Sequence, residues 1–508
     1  MATNSMSALS SQILRLNGMS SGLDTDSIVK SLLKIDQAKV DRQFQAKTKL
    51  EWKKDAYDEV STLLKDFRAQ NMSMLKADTN MMSAGAYNTY KVTMLDNSSA
   101  VSVSAGSSAT AGNITINDIQ QLAEAAQLKS TNLSANALAT STQLKDLDLN
   151  TKLEFVDHAI SFSINGKTFS FTDDTTLGDM MMSVNADKDA GVTMSYSSLS
   201  KGFTITSKKT GLSSSVNIDN LTGNAFAART NAFGIEEQNK SGKNAIMHIE
   251  GVRVEKETNT FSIDGISYTL KNKTDSAVSF NVERDVDATV NKIKTFVSNY
   301  NTLIAALQSK LDEETHRAYP PLTDEQRSQL SDKQAETWDK LAKSGLLKGD
   351  STITGMLDTM RTAFYTKVAG VGKTLSDIGL TTGSYKDKGK ITIDETKLRT
   401  AIENNPYEVA ALFTSTSTST NSATKFNESG LITRLSDSIN TYTKNNTQVT
   451  LDNLDDSIKL ADKKLTDLTD MMAKNEDRYY AKFTAMETAL SKLNSQSSWL
   501  ASQFGSGK

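Results

Sequence analysis

The chain has no cysteine, which removes disulfides, thiolate nucleophiles and thiolate metal ligands together. Proline occurs three times in 508 residues, so long helices can run without the residue that most strongly breaks them. The three histidines, His158, His248 and His316, lie far apart in sequence, and none has a second histidine at ligand spacing. No apolar run approaches the ~18 residues of a bilayer span, and the polar, mixed N-terminal residues lack the apolar core of a secretory signal peptide. Charge is balanced, with 57 Lys plus Arg against 60 Asp plus Glu, so no net field favours nucleic acid. The expectation is a multidomain chain with no cofactor, no nucleic-acid groove and no membrane insertion.

What is present is helical periodicity. Leu451, Leu454, Ile458, Ala461, Leu465, Leu468, Met472, Asn475, Tyr479, Phe483, Met486, Leu490 and Leu493 recur at three- and four-residue spacings, the seam of a coiled coil with a stutter around Tyr479. A second stripe runs through Leu50, Lys53, Tyr57, Val60, Leu64, Phe67, Asn71 and Met74, and a third through Val286, Val290, Ile293, Val297, Tyr300, Ile304, Leu307 and Leu311. Neither Pro nor Gly interrupts 26–76, 286–315 or 431–504. Three long amphipathic helices must bury their seams together. The extreme ends, residues 1–40 and 475–508, extend beyond any recognisable partner in the chain and should be frayed when the protein is alone.

Between residue 79 and about 285 the composition shifts to Ser, Thr, Asn and Gly with alternating apolar residues, a β pattern. Asn165-Gly166 and Asp264-Gly265 supply the two positive-φ residues of tight hairpin turns. Pairing across them sets Phe162 opposite Phe169 and Ile160 opposite Phe171, and places Phe261, Ile263, Ile266 and Tyr268 on one face. Two further pairs are expected, Tyr90, Val92 and Met94 with Val101 and Val103, and Val192, Met194 and Tyr196 with Phe203 and Ile205. Beyond the third helix, Leu322-Thr323-Asp324-Glu325 opens a helix and Lys348-Gly349-Asp350-Ser351 another. Ile378 and Leu380 face Ile391 and Ile393 in a small hairpin, with a short helix after Thr396. The tract Thr414–Thr420 is a polar link leading into the final long helix.

No catalytic constellation emerges. Gly372-Lys373-Thr374 and Gly166-Lys167-Thr168 lack the upstream glycine of a phosphate-binding loop. His248, between Met247 and Ile249 on a strand, should face solvent. Asp455, Asp456, Asp462 and Asp467 read as outer-face charges beside the seam.

Ser21-Gly22-Leu23-Asp24-Thr25-Asp26-Ser27-Ile28-Val29, Leu50-Glu51-Trp52-Lys53-Lys54-Asp55-Ala56-Tyr57, Phe296-Val297-Ser298-Asn299-Tyr300-Asn301, Gly345-Leu346-Leu347-Lys348-Gly349-Asp350 and the stretch Met486–Leu500 together resemble the bacterial flagellar filament cap family (FliD, hook-associated protein 2) over nearly the whole length. Residues 160–211 resemble a repeat of flagellins and hook-associated proteins. Residues 1–16 precede the usual start of the family motif.

The fold class expected is α+β multidomain: a long terminal α-helical coiled-coil or bundle domain with two inserted antiparallel β-rich domains. The division expected is terminal helices at 1–40 and 475–508, a helical bundle at 41–78 and 286–474, a first β domain at 79–111 and 231–285, and a second at 112–230. The resemblance implies a homopentameric cap at the distal filament tip, secreted through the flagellar type III apparatus and promoting insertion of flagellin. It also implies contacts with hook-filament junction proteins and an export chaperone. Assembly contacts are expected at Ile28, Val29, Leu32, Leu33, Leu490, Leu493, Trp499, Leu500 and Phe504. The alternatives are a secreted adhesin binding host glycans or mucin through the β domains, and an enzyme with a dispersed site.

Overall fold

The computed structural model describes residues 21–73, 80–383 and 387–505, the side chains of residues 446, 504 and 505 excepted. Two compact units emerge, one from residues 1–83 and 290–508 and the other from residues 84–289.

In the first unit an N-terminal helix, Thr25–Asn71, runs antiparallel to a C-terminal helix, Thr447–Gly505. Asp24 starts the first by accepting the Ser27 N–H at 3.1 Å, which satisfies one orphan donor of the first turn. The seam residues Tyr57, Val60, Leu64 and Phe67 are buried with the third stripe, carried by Val286–Asp312. Phe67 meets Phe296 at 5.9 Å, and Phe296 meets Phe413 at 6.5 Å between ring centroids. Met74 lies outside the described residues. Leu380–Thr382 and Ile391–Ile393 form the expected hairpin, pairing Leu380 with Ile393, but Ile378 lies outside it, at the end of the 3-10 turn Leu375–Ile378.

The tract after Thr414 does not lead directly into the long helix. Ser422–Glu428 and Leu431–Thr441 intervene, and a π-turn at Tyr442–Asn446 joins the latter to the C-terminal helix. A π-turn holds an extra residue within a continuous helix, and so leaves no Pro or Gly signature. Arg434 is buried on Leu431–Thr441, and among the described residues it has no carboxylate partner. Its guanidinium donates instead to the carbonyls of Phe426 (2.7 Å), Ala363 (3.0 Å), Thr366 (2.7 Å), Lys367 (3.1 Å) and Asn427 (3.1 Å). It thereby serves the C-terminal carbonyls of two other helices, where a cation is favoured.

The second unit contains two β cores. Around the first, a five-stranded antiparallel sheet has the order Tyr90–Met94, Val278–Arg284, Gly112–Gln121, Ala245–Ile249, Val252–Lys256. A three-stranded sheet, Thr260–Ile263, Ile266–Leu270 and Val101–Ala105, shares that core through Ile266, Tyr268 and Leu270. Tyr90–Met94 and Val101–Ala105 therefore do not pair with each other. Val92 lies opposite Val282, and Val103 opposite Tyr268. Alternation shows which side of a strand is buried, and leaves its neighbour unspecified.

The second core holds Phe162, Phe203, Phe226 and Phe233, with Phe203 and Phe233 at 4.8 Å and Phe162 and Phe226 at 4.9 Å. Both hairpins have the expected register, with φ of 52° and 80° at Asn165-Gly166 and 49° and 77° at Asp264-Gly265. Met194 pairs with Ile205 and Tyr196 with Phe203, as expected. The helix Leu177–Ala186 was not anticipated, although Thr176 caps it at Asp179 N and Leu177, Met180 and Val184 fall on one buried stripe. The two cores separate at Glu124 and Lys243, whose backbones exchange hydrogen bonds of 2.9 and 3.0 Å. Gly112–Gln121 belongs to the first core, which moves the inserted segment inward from 112–230.

Candidate functional site

The quoted motifs converge within the helical unit. The Ser21 N–H donates to Glu487 at 3.2 Å, the Ser21 hydroxyl bonds to the same carboxylate, and Asp26 accepts the Tyr480 hydroxyl at 2.9 Å. Asp36 accepts from Asn475 at 2.9 Å, Gln43 donates to the Ala461 carbonyl at 3.1 Å, and Lys47 meets Asp462 at 2.6 Å. Lys54 pairs with Asp455. Asp455 and Asp462 are thus interhelical partners, flanking the seam as charges at coiled-coil edge positions do. The hydrogen bonds from Lys39 and Asn475 hold the Asp36 carboxyl below its usual range, and Asp462 raises the Lys47 ammonium.

Deeper in the unit, the Tyr57 hydroxyl bonds to Asp350, which also caps Ser351–Tyr365 through Thr352 N (3.0 Å) and Ile353 N (3.1 Å). Burial and then Asp350 push the Tyr57 phenol well above its ordinary value. Asn299 donates to Asn71 at 3.0 Å, and Asn301 clamps Ile391, donating to its carbonyl at 2.9 Å and accepting its N–H at 2.8 Å. Lys343 lies 5.0 Å from the Trp52 ring.

The ends expected to lack a partner are therefore paired from Ser21 against Glu487 onward. Val29 is 1% exposed, while Ile28, Leu33 and Leu490 are half-buried. One continuous helix crosses residue 40 and another crosses residue 475. Pairing was missed because a seam reports a buried face without naming what covers it. Past Leu490 the helix is exposed over 491–503, with Leu493 at 59%, Trp499 at 62% and Leu500 at 47%; Leu32 is at 44%. The Phe504 side chain lies outside the described residues. Among the described residues nothing covers these apolar side chains at helical spacing, a surface suited to another helix.

The β unit offers less chemistry. His248, expected to face solvent, is half-buried and bonds to Asp118 on the neighbouring strand at 2.9 Å. His158 bonds to Asp173 at 2.8 Å, which raises the imidazole and lowers the carboxyl. Among the described residues no group of three or more His, Asp or Glu could hold a metal ion, and no helix is long and apolar enough to cross a membrane. The phenylalanines of the second core are buried, so they are not available to stack on a glycan, and nothing supports the adhesin alternative.

Two family models match, the flagellar hook-associated protein 2 N-terminus over residues 21–126 and its C-terminus over 242–495. The chain belongs to the flagellar hook-associated protein 2 (FliD) family. The inserted β core falls in the gap between the two matches. Flagellar hook-associated protein 2 of Halalkalibacterium halodurans is 30% identical over 95% of this chain and 98% of its own. The Escherichia coli K12 protein of the same name is 25% identical over 96% and 97%. The crystal structure of the D1-D2-D3 domains of the Escherichia coli flagellar cap protein FliD aligns with a TM-score of 0.54 at 20% identity, covering 78% of this chain and 99% of that one. It agrees with the α+β architecture.

Proposed function

We propose that this FliD-family protein caps the flagellar filament at its distal tip, promotes folding and insertion of exported flagellin, and prevents flagellin loss. In this reading the chain is a structural subunit with no chemical step. It acts as a homo-oligomer, a homopentamer, exported through the flagellar type III apparatus with a chaperone and meeting hook-filament junction proteins and flagellin. Ile28, Val29, Leu32, Leu33, Leu490, Leu493, Trp499, Leu500 and Phe504 are the proposed assembly region; within it the buried Val29 supports the helix pair, and the exposed side chains make the contacts. The observation that carries the reading is the single helix that pairs with Ser21–Asn71 and then continues past Leu490 with Leu493, Trp499 and Leu500 uncovered.

The test is complementation of a strain lacking the gene. The full chain should restore filaments, whereas a chain ending at Leu490 should fold, be exported and leave flagellin monomers in the medium. Restored filament growth by the shortened chain would remove the assembly role of the segment. Imaging the tip and counting subunits tests the pentamer.

A further inference from the structure

The second β core combines two antiparallel sheets. One has the order Asn239–Ser241, Ser215–Thr222, Ala159–Ile164, Lys167–Thr172, and the other Gln127–Lys129, Gly202–Ser207, Val192–Ser197. An outermost strand offers unpaired backbone groups to any other chain unless it is short or blocked. Asn239–Ser241 and Gln127–Lys129 are three residues long. Val192–Ser197 is closed at its middle by the Asn185 amide, which accepts the Met194 N–H at 2.6 Å and donates to the Met194 carbonyl at 2.9 Å. Lys167–Thr172, six residues long, has neither protection.

The Asp173 N–H donates to the His158 carbonyl at 3.0 Å, which fixes the parity of this strand. Odd-numbered residues bond inward to Ala159–Ile164, and Thr168, Ser170 and Thr172 direct their backbone groups outward. Among the described residues the outward N–H groups of all three, and the carbonyls of Thr168 and Ser170, have no partner. The Thr172 carbonyl accepts the Thr175 N–H at 3.0 Å and keeps a second lone pair. Phe169 and Phe171 are buried on the inner face, so the exposed row consists of hydroxyl side chains.

Thr168-Phe169-Ser170-Phe171-Thr172 reads the same in both directions and is flanked by Lys167 and Asp173. An antiparallel second copy centred on Ser170 therefore sets Thr168 against Thr172, Phe169 against Phe171 and Lys167 against Asp173, on both sides of a two-fold axis. Every outward N–H then meets a carbonyl. Hydroxyl, aromatic and opposite-charge pairs are favourable cross-strand combinations. Lys167 is held only loosely in its own chain, 3.6 Å from Asp187 and 3.5 Å from Asp189, which leaves it able to reach across.

We propose that Lys167–Thr172 is a self-complementary docking edge for a second copy of this chain, joining two four-stranded sheets into one. An edge of this length buries less than a standard stable interface, so free subunits pair weakly and the contact strengthens where copies are already held together. It uses none of the residues of the proposed assembly region.

The test uses the full-length protein. Because the chain has no cysteine, Ser170→Cys places a single thiol on the two-fold axis. A short bismaleimide should cross-link that variant to itself, and should give little or no product with Ser200→Cys, on an exposed turn. Amide exchange at Thr168, Ser170 and Thr172 should slow as protein concentration rises. Ser170→Lys sets like charges opposite each other and should weaken this association at least about tenfold. Ser170→Pro removes an N–H that the internal ladder does not use, should act likewise, and keeps the test valid if the Lys variant folds poorly. Edge amides that exchange equally fast at every concentration would overturn the proposal. Equal cross-linking of the two cysteine variants, or undiminished association of a folded Ser170→Lys protein, would also overturn it.

Discussion

Replacing Arg434 with Met should be among the most damaging single changes in the helical unit. Met preserves much of the aliphatic stem and removes a guanidinium that serves five carbonyls on two helix ends and their following loops. At ~1.5 kcal/mol for each bond to a charged group, the gross loss is about 7.5 kcal/mol. Part is offset because the buried guanidinium is itself costly to desolvate: burial lowers its pKa to about 10, still protonated at neutral pH. The Asn427 carbonyl also keeps the Ala369 N–H at 3.0 Å. The net loss should resemble that of breaking a buried charged network, about 3–5 kcal/mol. Arg434→Lys should recover only part of it, since three ammonium donors on one nitrogen cannot reach five carbonyls spread around a planar fork. The three tryptophans, Trp52, Trp338 and Trp499, all lie in the helical unit, so urea unfolding followed by tryptophan fluorescence reports that unit separately from the β cores. A loss below about 1 kcal/mol for Arg434→Met, the range of ordinary surface changes, would refute the view that this side chain closes the helix ends.

Removing the Tyr480 hydroxyl (Tyr480→Phe) or the Glu487 carboxylate (Glu487→Ala) should each cost about 0.5–1.5 kcal/mol and speed amide exchange over residues 21–30; unchanged protection there would show that these contacts do not hold the N-terminal end. Trp499→Ala should leave monomer unfolding within about 1 kcal/mol yet abolish filament growth, and the opposite pattern would assign Trp499 to the internal core. His158 should titrate by NMR above its ordinary 6.5, and Asp173→Asn should bring the midpoint back down. Because the His158 pKa is raised and that of Asp173 lowered, the His158 contribution is complete below pH 6.5 and fades as pH rises through the folded midpoint. The Asp173 contribution is present above its usual carboxyl range and fades as pH falls through its lowered midpoint; a midpoint indifferent to Asp173→Asn would remove the pairing. Excising 125–242 and joining Glu124 to Lys243 through a short Gly linker should leave the first β core folded, since those ends already hydrogen-bond. Excising 112–230 should not, because it removes a strand paired on both sides; circular dichroism melts of the two deletions should differ accordingly.

Local chemistry was legible wherever one segment carried its own instruction. Asn165-Gly166 and Asp264-Gly265 dictate their turns and therefore the register of Phe162 with Phe169 and Phe261 with Tyr268. The periodic stripes likewise identified the buried faces of Thr25–Asn71, Val286–Asp312 and the C-terminal helix. Partner identity was a tertiary decision. Tyr90–Met94 and Val101–Ala105 alternate alike yet enter different sheets, because alternation records burial and the distant strands Val278–Arg284 and Ile266–Leu270 supply their hydrogen bonds. The pairing of Ser21 with Glu487, 466 positions away, and the Arg434 bonds to the carbonyls of Ala363, Thr366 and Lys367, 67 to 71 positions away, were invisible for the same reason: no periodicity links such distant groups. Amino-acid order alone determined which surfaces must be buried and where the chain turns; only the folded chain decided which buried surfaces meet, and that left Leu493, Trp499 and Leu500 uncovered.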